Sequence, residues 1–257
     1  MEEQNALLET RNGDVVRLTL NRPARRNALT RDLVGRLADR LTALGSEDAR
    51  AVVLAGGPPV FCAGGDLVDL GGIADEGAIA VTDTVYGQFH RLVRALSEAP
   101  FPVVAAIDGA ALGAGLDLAL ACDLRVATAR STFASSWIGV GLVPGMGGAY
   151  LLTQAVGSAR AHEMVLLGEP VSADIALSWG LINRLVEEDD LDGAVAALSD
   201  RLTGLPRSAL ARSKASLRRA AESGLAAELS TMGAVQGALL TGREFAARTE
   251  AFRKRSR

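Results

Sequence analysis

The stretch from Val103 to Asp117 has the residue types of a charge-binding turn. It begins with the apolar run Val103-Val104-Ala105-Ala106-Ile107, passes through the small residues Gly109 to Gly115 and enters a helix at Leu116. Strand, glycine-rich turn and helix start aim unpaired backbone N–H groups, and the positive end of a helix dipole, at one point. A phosphate or an oxyanion suits such a point. Phe61-Cys62-Ala63-Gly64-Gly65-Asp66-Leu67 is a second glycine-containing turn after a strand. Asp117 closes the first stretch. It reads as a carboxylate capping the first helical turn, where the helix dipole favours it.

Other chemistries find little support. After Gly113-Ala114-Gly115 the third glycine of a dinucleotide fingerprint is replaced by Leu118, and no GxSxG nucleophile elbow occurs. Two cysteines, Cys62 and Cys122, lie in apolar surroundings outside any CxxC pair and read as buried free thiols. The two histidines, His90 and His162, are too far apart in sequence for a zinc motif, so no metal is expected. A net charge of −3 argues against nucleic acid as the partner. No uncharged apolar run of about 18 residues appears, so no membrane span is expected. The acidic, polar beginning does not read as a signal peptide, and the expected location is cytoplasmic.

The elements that position these residues alternate. Asp14 to Leu20 reads as a half-buried strand, broken at Asn21-Arg22-Pro23. Thr30 is an N-cap for a helix in which Leu33, Leu37, Leu41 and Leu44 recur at helical spacing. Ala51 to Ala55 is a buried strand. A loop through Gly71-Gly72 leads to a helix over 79–97. Leu124 to Ala127 is a strand, 132–137 is extended, and 139–148 is a flexible approach to a helix over 149–156. After Gly157 the chain reads as mostly helical, over 190–204, 207–222, 224–240 and 243–254, with one strand at Leu181 to Val186. Hydrophobic residues are 49% of the chain, enough for a sizeable core. The order argues an α/β fold with an appended helical part.

Taken together, Asn21-Arg22-Pro23 with Arg26-Asn27-Ala28-Leu29, the 61–67 turn, Gly109 to Asp117 with Cys122-Asp123, and Gly141 with Pro144 and Gly147-Gly148 resemble the enoyl-CoA hydratase/isomerase (crotonase) superfamily. The resemblance implies a spiral of β-β-α turns over 1–200 that holds CoA and the active site. It also implies a helical oligomerisation region over 201–257, building trimers or hexamers. The ligand implied is an acyl-CoA thioester, with coenzyme A as part of the substrate and no separate cofactor. By position the oxyanion donors are the amides of Ala63 and Ala114, one such donor being worth roughly 3 kcal/mol of barrier. The same match places Arg22, Arg25 and Arg26 at CoA phosphates, Ala63, Gly64, Gly65, Asp66, Leu67 and Gly113 around adenine and thioester, Trp137 on the pocket wall, and Phe252 over CoA.

The pattern departs from a typical hydratase at the acid/base positions. Of the two hydratase glutamates, the first falls at Asp117 and the second at Trp137, whose indole N–H only donates. The carboxylate that related isomerases carry after the later proline falls at Gly145. The expected activity is hydration or double-bond isomerisation of an enoyl-CoA, with Asp117 as acid/base. Two alternatives stand beside it: an acyl-CoA-binding protein of impaired activity, and a thioester hydrolase using His90. Trp137 and His90 also resemble the Trp and His of 4-chlorobenzoyl-CoA dehalogenases, whose nucleophilic Asp is missing at Gly145.

Overall fold

In chain order the strands are β1 (Leu7–Asn12), β2 (Val15–Leu20), β3 (Ala51–Gly56), β4 (Val103–Ile107), β5 (Ala110–Leu112), β6 (Leu124–Thr128), β7 (Thr132–Ala134), β8 (Val171–Ser172) and β9 (Arg184–Val186). The helices are α1 (Arg31–Leu44), α2 (Leu67–Ala74), α3 (Ala78–Ala80), α4 (Gly87–Glu98), α5 (Ala114–Ala121), α6 (Gly148–Val156), α7 (Ser158–Leu167), α8 (Ala173–Trp179), α9 (Leu191–Thr203), α10 (Arg207–Glu222), α11 (Leu225–Leu240) and α12 (Arg243–Arg255). A π-helical segment, Val81–Tyr86, joins α3 to α4. This computed structural model describes residues 5–223 and 225–255; the side chains at 84–86 and 250–255 lie outside the description.

The main sheet runs β1-β2-β3-β4-β6-β9, parallel except for the β1–β2 pair. Period-two alternation sorts its side chains into two cores. Val52 and Leu54 of β3 and Val103, Ala105 and Ile107 of β4 face the larger core, which α1 joins through Leu33, Leu37, Leu41 and Leu44. Val53, Ala55, Val104 and Ala106 face the other way, against Leu191, Val195 and Leu198 of α9. With both faces covered, β3 and β4 appear in sequence as continuous apolar runs. A smaller sheet, β5-β7-β8, lies beside the 61–65 turn through a parallel bridge between Cys62 and Ala111.

Thr30 caps α1 as expected, accepting from the Leu33 N–H at 3.2 Å. The helix expected over 79–97 is divided into α3, the π-helical segment and α4, the strand expected at Leu181 to Val186 is confined to β9, and β1 and α2 also depart from the sequence reading. β1 shows no alternation in sequence, because all but its first residue are exposed on the sheet edge. The expected loop through Gly71-Gly72 is the helix α2. Asp66 starts that helix by accepting from the N–H groups of Val68 (3.1 Å) and Asp69 (3.4 Å), and this cap outweighs the two glycines.

Past α9, α10 and α11 bury no residue. α10 is fastened to the core by Lys214, whose Nζ donates to the carbonyls of Leu96 (2.7 Å) and Phe101 (3.1 Å) and pairs with Asp123 (2.8 Å). Asp123 in turn accepts from the Val103 N–H at 2.7 Å. Among the described residues, no helix is long and apolar enough to cross a membrane.

One contact sets the distance between the two turns that the site needs. A Cβ on Gly115 would collide with the backbone of Cys62, its carbon 2.9 Å away, so only glycine lets α5 lie against the 61–65 turn. Gly115→Ala is therefore expected to lower stability by about 1–3 kcal/mol in urea unfolding. Gly139→Ala, where a Cβ meets open space, is expected to leave the midpoint unchanged.

Candidate active site

The two turns meet around a small pocket of about 90 Å³ lined by Ala63, Gly64, Gly65, Gly113, Ala114, Ser136 and Trp137, with Leu67, Leu70, Val140 and Leu142. Gly64, at φ +109°, brings the 61–65 turn so close that a Cβ there would sit 3.0 Å from the Leu112 carbonyl oxygen and 3.6 Å from the Ala114 nitrogen. Gly113, at φ +51°, bends the chain into α5 with no side-chain cap, leaving the Ala114 N–H without an intrahelical acceptor.

The second free N–H is not that of Ala63. The Ala63 N–H donates to the Arg26 carbonyl at 3.0 Å, so it does not face a ligand. The neighbouring bridge explains which amide is left. Leu29 donates to the Gly64 carbonyl (2.8 Å), and Asp66 donates to the Leu29 carbonyl (2.9 Å). A parallel bridge uses the groups flanking Gly65 and turns the N–H of Gly65 itself to the opposite side. Gly65 and Ala114 thus present the free N–H pair, and both line the pocket. The alternation that selects Gly65 over Ala63 depends on the Leu29 pairing, which the local sequence does not reveal.

A larger apolar pocket of about 270 Å³ continues from Gly65, walled by Leu70, Val81, Phe89, Trp137, Leu142 and Met146. Asp117 lies behind this wall, three residues along the same face of α5 as Ala114. It is 1% exposed. Its carboxylate occupies the space a side chain at Gly148 would need, with Oδ2 2.8 Å from that Cβ position. Asp117 Oδ2 and Trp137 Nε1 are both buried, and neither closes a hydrogen bond of normal length. Burial pushes the Asp117 carboxyl up to about 7, against the opposing pull of the Met146 backbone N–H and the Trp137 indole. An unpartnered buried acceptor costs roughly 1–3 kcal/mol, so structure alone does not favour it.

The match to known proteins covers nearly the whole chain. Residues 10–254 fit the family model for enoyl-CoA hydratase/isomerase. The chain belongs to the enoyl-CoA hydratase/isomerase family. It is 36% identical over 193 residues to the 1,2-epoxyphenylacetyl-CoA isomerase of Escherichia coli, covering 75% of this chain and 74% of that one. The crystal structure of an enoyl-CoA hydratase from Mycobacterium smegmatis superposes with a TM-score of 0.91 at 33% identity, covering 97% of this chain and 96% of that one. An enoyl-CoA hydratase from Polaromonas superposes with a TM-score of 0.92 at 30% identity, with 97% of each chain covered. The α/β crotonase fold and an enzyme of the hydratase/isomerase class follow.

Within this hydratase/isomerase scaffold the expected ligand residues separate into two groups. Gly64, Gly65, Leu67, Gly113 and Trp137 line the pockets. Arg22 and Asp66 are instead paired with each other at 3.0 Å, their side chains 13% and 12% exposed, and Arg22 also donates to the Ala28 carbonyl at 2.6 Å. Burial opposes charge on Asp66, but Arg22 and the first amides of α2 outweigh it and hold its pKa below the usual value. Arg22 is thus engaged inside the protein, while Arg25 and Arg26 are exposed. Phe252 lies outside the residues whose side chains are described.

Asn27, quoted above only as part of a motif, has a structural task. Fully buried and left-handed at φ +55°, it accepts from the Arg22 N–H (2.9 Å) and donates to the carbonyls of Gly57 (2.5 Å) and Val60 (2.7 Å). His90 lies outside both pocket linings; its Nε2 sits 2.9 Å from the Gly145 carbonyl. Among the described residues, no group of three or more His, Cys, Asp or Glu side chains is placed to hold a metal ion.

The raised Asp117 pKa has a measurable consequence. Unfolded, this carboxyl titrates at about 4. Between that pH and 7 the folded chain holds a proton that the unfolded chain has lost. The contribution to stability is therefore full below about pH 4 and falls as pH rises through 7. Asp117→Asn removes this dependence. Urea unfolding at pH 8 is expected to find the variant about 2–4 kcal/mol more stable than the parent, with the gap closing towards pH 4.

Proposed function

We propose that the protein moves the double bond of an enoyl-CoA, with Asp117 carrying the proton and the Gly65 and Ala114 amides holding the thioester oxygen. The single observation behind this reading is a carboxyl just behind the pocket wall, buried, unpartnered at Oδ2 and titrating near neutrality. With a 3-enoyl-CoA, the Asp117 carboxylate takes a proton from C2. The C2–H electrons form a dienolate whose oxygen accepts from the two amides. The carboxyl then returns the proton to C4, leaving the double bond between C2 and C3. One group suffices, because the proton removed is the proton returned. Water addition asks for a second acid/base group, and the positions available for one hold Trp137 and Gly145.

The surroundings support the same reading. Ala114 and Asp117 share one face of α5, and Trp137 and Met146 stand between Asp117 and the apolar pocket. A site that excludes water strengthens amide donation to a developing oxyanion. The resemblance to an isomerase at 36% identity agrees. The exposed guanidinium groups of Arg25 and Arg26 are assigned to CoA phosphates.

A second reading is acyl-CoA binding without turnover. It draws support from Asp117 being 1% exposed and lining neither pocket. The hydrolytic reading draws no support from Nε2 of His90, which carries a hydrogen because the Gly145 carbonyl only accepts.

Residues 201–257 are assigned to oligomerisation, as a trimer or hexamer, and 1–200 to the spiral core. Leu217, Leu225 and Leu229 are 73%, 75% and 62% exposed on helices that bury nothing within the chain. Two buried free thiols suit a reducing cytoplasm.

Incubation of a 3-enoyl-CoA with the protein in D₂O, followed by mass spectrometry, tests the activity. The expected product is the 2-enoyl isomer with no gain of water and with the C2 hydrogen carried to C4, so that little deuterium enters there. Asp117→Asn is expected to lower the rate roughly a thousandfold while acyl-CoA still binds. A hydroxyacyl-CoA as the main product would overturn the isomerase reading, and binding without conversion would favour the second one.

A further inference from the structure

The peptide group between Gly145 and Met146 is engaged on both sides. His90, on α4, brings Nε2 to 2.9 Å from the Gly145 carbonyl oxygen and donates to it. The N–H of that same peptide belongs to Met146 and faces the Asp117 carboxyl. Gly147, left-handed at φ +78°, then turns the chain so that Gly148 opens α6 against the same carboxylate. Gly145, Gly147 and Gly148 bring no side chains of their own to fix this segment.

We propose that His90 is a positioning residue for Asp117, acting through the Gly145–Met146 peptide. Donation into the carbonyl does two things. It holds the 144–147 turn at the distance from α5 that leaves room for the carboxylate over Gly148. It also draws electron density towards the oxygen and makes the Met146 N–H a stronger donor, since hydrogen bonds in a chain polarise one another by about 10–30% per bond. Among the described residues no charged side chain acts on Asp117: burial, the Met146 N–H and the Trp137 indole set its titration. A change in the Met146 donor is therefore not masked by a stronger neighbour. The inference rests on Asp117 as the proton carrier for its catalytic meaning, but not for the coupling itself.

The two parts are separable by experiment. His90→Gln keeps a neutral N–H donor of similar reach. His90→Leu has none, and His90→Asn, whose amide is too short, is a second loss-of-donor variant for use if the leucine protein folds poorly. Carboxyl ¹³C NMR titration of aspartate-labelled protein follows Asp117 directly, with Asp117→Asn identifying its signal. The loss-of-donor variants are expected to move the Asp117 midpoint up by about half a pH unit. They should also lower kcat on a 3-enoyl-CoA about tenfold with KM unchanged, as a displaced proton carrier would. His90→Gln should restore both. An unmoved Asp117 midpoint in the loss-of-donor variants would overturn the positioning role. A moved midpoint with unchanged kcat would uphold the coupling and overturn Asp117 as the proton carrier.

Discussion

The site depends on how closely the start of α5 approaches the backbone of Cys62. No side chain fits between them, and the missing Cβ of Gly115 is what makes the contact possible. Once the two segments touch, Gly64 lies against Leu112 and Ala114, and amides from two distant parts of the sequence face one pocket. The rest of the fold holds these two backbones in place. Asn27 ties the 22–29 loop to Gly57 and Val60. Arg22 and Asp66 lock the same loop to the start of α2, and the Leu29 bridge sets the direction of the Gly65 amide.

The second constraint is electrostatic. A carboxylate with one buried oxygen unpartnered is a poor stabilising device, and proteins retain such groups where chemistry needs them. Asp117 sits where the N-terminus of α6 begins, over a glycine, with an indole close by that does not complete a bond. Its neighbours oppose its protonation only weakly, so burial dominates and the group titrates near neutrality. A proton carrier that must both accept and return a proton works best there. The fold sustains this at a cost in stability recovered elsewhere, in the two leucine- and valine-rich cores on either side of the main sheet.

Much of this was legible in the residues. The strands β2, β3 and β4, the capped helix α1 and the charge-binding character of both turns follow from period, caps and glycines. Gly64, Gly65, Gly113, Ala114 and Trp137 could be named as pocket residues from their motifs. What escaped was decided by pairing and exposure. β1 is an exposed edge strand, so its pattern carries no alternation. α2 forms despite two glycines because one side chain caps it. The free amide is that of Gly65, not Ala63, because a bridge to Leu29 sets the alternation from outside the motif. Arg22 looks like a phosphate ligand in sequence; only the fold shows Asp66 beside it, 44 positions away along the chain.

The Lys214–Asp123 contact gives α5 a second role. The helix is eight residues long, a rod of about 12 Å. Its first residue presents an amide to the pocket, and two residues past its last one Asp123 receives Lys214 from α10. The helical region is thereby bolted to the far end of the same rod that carries the Ala114 amide and the Asp117 carboxyl. A displacement of α10 would act on α5 as a push on a lever acts on its other arm. The exposed leucines of α10 and α11 and the pocket-facing amide of Ala114 then share one mechanical element.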